Sequence, residues 1–244
     1  MMITRHKTTA LITFKFKEIL KNKTFLVSAA MVPGFVLLYR LLFDDAEIMS
    51  GIQLFLLNFG VTYAIIMVGM FMPATFLAKD KEKYTLRTWM TSSISSLEYL
   101  VSMLVPFLVL TILLIVMVIG ISGIDLGAID LPVFILVVFL SSLTAIILGM
   151  LVGLVSKNQM AASNNSMVFL LVFFMIPTLS EMNQTLEQIS EFLFTGVVSK
   201  MIASFGEGGL PLTLPDYFVL VASLVLACIA FVVIYRRNGF EKEQ

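Results

Sequence analysis

Long apolar runs alternate with short charged links along this chain. Six runs stand out, at 24–43, 52–78, 97–121, 131–155, 160–178 and 217–235. Each is close to the about 20 residues that a helix needs to cross a hydrocarbon core. Only Arg40, near the end of the first, and Glu98, near the start of the third, place a charge inside a run. A charge at mid-membrane costs roughly 2.5–3.5 kcal/mol on the insertion scale, so six nearly charge-free runs predict six spans. The second run is long enough to require tilt or a kink, and Pro73 marks a place for one; Pro33-Gly34 offers the same in the first. The first run is too long for a signal peptide, and Arg40 stands where a cleavage site would be expected, so this run is expected to remain as a span.

Composition agrees with lipid as the solvent. Of 244 residues 59% are hydrophobic and 13% charged, against roughly 25% charged in soluble domains. Net charge is zero, which gives no sign of a nucleic-acid partner. Cys228, the single cysteine, cannot form an intrachain disulfide. The sixteen methionines have no Cys or His clustered beside them, so they read as packing residues and no metal site is expected.

Charge gives the orientation. Fourteen of the sixteen basic residues fall in the amino-terminal segment, the link after span two, the link after span four and the tail; only Arg40, at the end of the first run, and Lys200 lie on the other side. The basic side is expected to be the cytoplasm, with both termini there. Ten of the sixteen acidic residues lie on the opposite side.

Three segments outside the spans carry pattern. Residues 1–23 hold a helix in which Ile12, Phe16, Ile19 and Leu20 share one arc and Lys7, Lys17, Glu18 and Lys21 the opposite one; Leu11 and Phe14 break the pattern. A basic helix of this kind is expected to lie in the headgroup interface rather than as a solvated leader. The link 79–96 contains the only Trp and a Ser/Thr-rich stretch, and Leu86, Trp89 and Met90 fall on one face of a short helix. That face reads equally as a protein docking site or as an interfacial anchor. In the outer segment 181–215, Leu186, Ile189, Phe192 and Leu193 have helical spacing, with Glu187 and Glu191 on the wet side. Gly196 is expected to break this helix, and the stretch 192–205, short and holding Lys200, is expected to be a surface or re-entrant helix rather than a seventh crossing. Gly149 and Gly153 form a GxxxG pair, which either permits close helix packing or lacks a partner.

Several chemistries are excluded. The chain has no GxxxxGK[ST] loop and no HExxH, and its one histidine, His6, lies outside the spans. With no ionisable residue at mid-span it also lacks the relay of a proton- or sodium-coupled transporter. No catalytic site is expected, and energy would come from a partner.

The stretch 82–100, EKYTLRTWMTSSISSLEYL, resembles the cytoplasmic loop of type 2 (ABC-2) permeases of ATP-binding-cassette exporters. Glu82, Thr85, Leu86, Trp89 and Met90 match by type, while Tyr84 replaces the usual Gly and Ser95 stands where Pro is common. The layout of the whole chain is also similar. The resemblance implies a single all-α integral membrane permease domain over 1–244, with an amino-terminal interfacial helix, six spans, a coupling helix in 79–96 and an outer helical segment. It implies that Glu82, Thr85, Leu86, Arg87, Trp89 and Met90 seat in a separate ATPase subunit that holds ATP and Mg, and that two permease subunits pair. The expected function is outward movement of an amphipathic or hydrophobic substrate across a bacterial plasma membrane. A non-transporting immunity or sensor subunit that binds a peptide is the alternative.

Overall fold

The computed structural model describes residues 5–42, 46–84, 96–125, 127, 129–180, 183–206 and 211–237. They are helical throughout, joined by turns, with no strand among the described residues. The chain is an all-α integral membrane protein. Six helices are long and apolar enough to cross a bilayer: span one Lys23–Leu42, span two Ile52–Glu82, span three Glu98–Ser122, span four Leu131–Val155, span five Gln159–Thr178 and span six Leu214–Tyr235. The bounds follow local chemistry. Asp130 caps span four by accepting from the Val133 amide at 3.4 Å, with Pro132 in the first turn where its missing N–H costs nothing. Asn158 caps span five, accepting from the Ala161 amide at 2.8 Å. At the start of span six the Asp216 carboxylate accepts from the Thr213 amide at 2.6 Å and from the Thr213 hydroxyl at 2.7 Å.

Spans two and four are the most buried, and spans one, five and six turn most of their residues outward. Span two is the hub and packs on spans three, four and five. The GxxxG pair supplies the closest approach. A Cβ on Gly149 would lie 2.1 Å from the Met70 carbonyl oxygen, and one on Gly153 2.7 Å from that of Ala74. The pair therefore has a partner, the backbone of span two, and only hydrogen fits at Gly149.

Pro73 is accommodated by widening rather than a break. Residues Ala64–Phe71 form a π-helix, with the Met72 amide bonding five residues back to Met67, and the α-helix resumes at Met72–Glu82. Span five repeats the device, with π-helix Leu171–Met175 ending two residues before Pro177. A proline has no N–H to give, and in both spans it sits where the ladder returns from π to α register.

At one end of the bundle Arg40 bends its guanidinium to the last turn of span three, donating to the Ile121 carbonyl at 2.6 Å. A basic group at a helix carboxyl end satisfies an orphan acceptor and complements the dipole. The same end carries two short helices, Gln184–Ser190 and Phe194–Ala203. The second is buried over most of its length. Ser199 accepts from the Asn58 amide of span two at 2.8 Å, and Thr62 donates to Asn58 at 3.2 Å, so these intramembrane polar groups hold the helix in place. Lys200 bonds both Asp216 oxygens, at 3.0 and 2.9 Å. Gly196 does not break the segment as expected. The break is at 191–193, and Gly196 lies inside the second helix, where a Cβ would stand 1.8 Å from the Ser190 carbonyl oxygen. It permits the fold-back.

Candidate coupling site at the basic end

The opposite end gathers the amino-terminal helix Arg5–Lys21, the link after span two and the link after span four. The side of the amino-terminal helix that meets the protein is Thr8, Leu11, Lys15 and Ile19. Of the apolar arc read from sequence, Ile19 is buried, Ile12 and Phe16 are half-buried and Leu20 is exposed. The helix packs chiefly on span three.

Lys15 has no exposed surface. Its ammonium pairs with Asp80 of span two and, at 2.9 Å, with Glu18 one turn along its own helix. Asp80, itself buried, also accepts a 2.6 Å bond from the Tyr99 hydroxyl of span three. Glu18 is shared with Lys79 at 3.1 Å, and the Lys79 ammonium stands 5.2 Å from the centre of the Phe76 ring. Burial raises the Glu18 carboxyl, but the Lys15 and Lys79 ammonium groups outweigh it and hold its pKa below the ordinary glutamate value. Two lysines and two carboxylates balance in formal charge, the arrangement a buried ionic cluster requires.

The placement matters more than the energy. Asp80 and Tyr99 lie on opposite sides of the link 85–95, so their bond closes its root, and Lys15 fastens the amino-terminal helix to the same point. Beyond Asp80, Lys81 donates to the Leu154 and Ser156 carbonyls at 2.9 and 3.3 Å, and Glu82, exposed, accepts from the Gln159 amide at 2.9 Å. Tyr84 then turns the chain with φ of +55°, the left-handed region that glycine enters freely and other residues rarely do. This is the position where the resembling loops carry glycine.

Of the residues read from sequence as ATPase-contacting, Glu82 sits at the root of the link. Thr85, Leu86, Arg87, Trp89 and Met90 lie outside the described residues. Glu187 and Glu191 are exposed on and just after the short helix Gln184–Ser190. Lys15, Asp80 and Tyr99 are not among the residues the pattern singles out. The sign that finds Lys15 is Leu11, which breaks the apolar arc: Leu11, Lys15 and Ile19 stand four apart and define the buried side.

No curated protein matches the chain. The family model for the ABC-2 family transporter protein matches residues 22–235. That match takes in all six spans and both stems of the link after span two, and the family's members are membrane components that associate with an ABC ATPase; the chain belongs to the ABC-2 transporter family, as a permease of an ABC transporter.

Proposed function

We propose that this permease is an exporter subunit, that it pairs with a second permease subunit, and that its ATPase seats on the link 79–96. The observation that carries this reading is the closed root of that link, where Asp80 of span two bonds Tyr99 of span three and Lys15 neutralises the pair in a buried setting. A loop that receives force from a partner requires such a root, because its two stems have to move together. In this reading Leu86, Trp89 and Met90 are the seating residues and Thr85 and Arg87 contribute to the contact, and truncating an aromatic anchor that a partner buries costs ~2 kcal/mol or more. The basic end is then the cytoplasmic end of a bacterial plasma membrane protein, with both termini inside and the amino-terminal helix in the headgroup layer.

The cargo in this reading is amphipathic or hydrophobic, such as a peptide or a lipophilic drug. The spans have no fixed charge at mid-membrane to hold a small ion, and Glu187 and Glu191 contribute to an acidic outer end that attracts cations and slows the departure of anions. ATP hydrolysis belongs to the partner. ATP-dependent flux of cationic and anionic amphiphiles into inside-out vesicles tests the proposal. Flux that requires both this chain and the ATPase supports it. Peptide binding without flux would instead establish the immunity or sensor role.

A further inference from the structure

Lys81 and Glu82 are neighbours in sequence, yet they reach two different helix ends. Lys81 donates to carbonyls at the carboxyl end of span four, and Glu82 accepts from the first amide of span five. Each charge opposes the local end of a helix dipole, positive at the carboxyl end and negative at the amino end, and each satisfies a backbone group that has no partner within its own helix. Between those ends lie only Ser156, Lys157 and Asn158. We propose that Lys81 and Glu82 are positioning residues that splint this short link to the root of the coupling loop, so that spans four and five move with the loop when the ATPase drives it. This rests on the ATPase-docking reading above.

The splint completes a pattern. Asp80 ties span three to span two, and Lys81 and Glu82 tie spans four and five to span two one and two residues later. Three consecutive side chains at the end of one helix thereby gather four spans at the place where the loop begins. Glu82, which the loop resemblance assigns to contact with the ATPase, acts here within its own chain. Its bond to the Gln159 amide needs an acceptor oxygen, which glutamine also supplies, and this makes the proposal separable from docking on a basic groove.

The test uses the full chain in nanodiscs with Cys228→Ser, spin-labelled at Lys83→Cys and Lys157→Cys, both exposed positions. Pulsed electron resonance on the chain alone is expected to give one narrow distance distribution. Glu82→Ala and Lys81→Met should each broaden it at least twofold, and Glu82→Gln, which keeps the acceptor, should restore it. The exchange Lys81→Glu with Glu82→Lys preserves any mutual ion pair but puts the wrong charge at both helix ends, so it should broaden the distribution as much as the single changes. In the complex with the ATPase, adding ATP and vanadate should change the mobility of a single label at Lys157→Cys in wild type and in Glu82→Gln, but not in Glu82→Ala. A narrow distribution in Glu82→Ala, or rescue by the charge exchange, would overturn the splint. A retained ATP response in Glu82→Ala would overturn its role in coupling. If wild type binds no ATPase, the docking reading fails with the coupling role, while the distances on the chain alone still decide whether the splint exists.

Discussion

The Tyr99 hydroxyl donates to Asp80 at 2.6 Å across a link that separates the two residues by 19 positions. Without Lys15 the buried Asp80 carboxylate would keep only the Tyr99 hydroxyl, and without Asp80 the buried Lys15 ammonium would keep only the partly exposed Glu18. Removing one partner of a buried pair typically costs ~3–5 kcal/mol, because it leaves an uncompensated charge, whereas replacing both by apolar groups is far milder. Lys15→Met and Asp80→Leu are each expected to lower the unfolding temperature in detergent by several degrees. The double variant Lys15→Met with Asp80→Leu should recover much of the loss. Equal, additive losses would show that the pair does not act as a unit.

The glycines of spans three and four predict opposite outcomes for the same substitution. Gly149→Ala drives a methyl against the Met70 backbone at 2.1 Å, and backbone cannot step aside as a side chain does. Overpacking of a core costs ~1–3 kcal/mol, with this contact at the upper end. Gly120→Ala meets nothing within 4 Å and gains helix propensity, so it should be neutral or slightly stabilising. Thermal unfolding and yield in the membrane fraction compare the two directly.

At Tyr84 the backbone can be separated from the ring. Both Tyr84→Gly and Tyr84→Val remove the ring, but only glycine accepts a φ of +55° without strain. The glycine variant should be more stable than the valine variant by ~1–2 kcal/mol in chemical or thermal unfolding. Equal stability would mean that the turn relaxes out of the left-handed region.

The spans were legible because lipid leaves the sequence few choices. An apolar run of sufficient length has to be a helix, and the runs at 131–155 and 160–178 agree with the observed spans to within a residue. Lys15, Asp80 and Tyr99 were not legible because each is ordinary in its local setting. A lysine among lysines reads as topology, and only the packing of the amino-terminal helix on span three reveals it as buried. Gly196 misled for a related reason: glycine signals both helix ends and close approaches, and only the fold-back on Ser190 distinguishes them. The GxxxG pair was readable as a packing device, but its partner, the backbone of span two at Met70 and Ala74 on either side of Pro73, has no sequence signature beyond that proline.

The proposed orientation, with the basic links in the cytoplasm, predicts a labelling pattern. Single cysteines at Asp45, Asp125 and Glu187, on a Cys228→Ser background, should label from outside intact cells. Cysteines at Lys21, Lys83, Lys157 and Arg237 should label only after permeabilisation. Labelling of Arg237→Cys in intact cells would require a seventh crossing, through Phe194–Ala203, and would overturn the assignment of both ends to the cytoplasm.

The central claim, that force enters through the link 79–96, is tested most directly by co-purification. Tagged chain extracted from its own membranes should bring down a separate ATP-binding subunit at a fixed ratio. Leu86→Asp and Trp89→Ala should each cut that recovery at least tenfold while Gly120→Ala leaves it intact. Undiminished recovery of the ATP-binding subunit with both Leu86→Asp and Trp89→Ala would contradict the account.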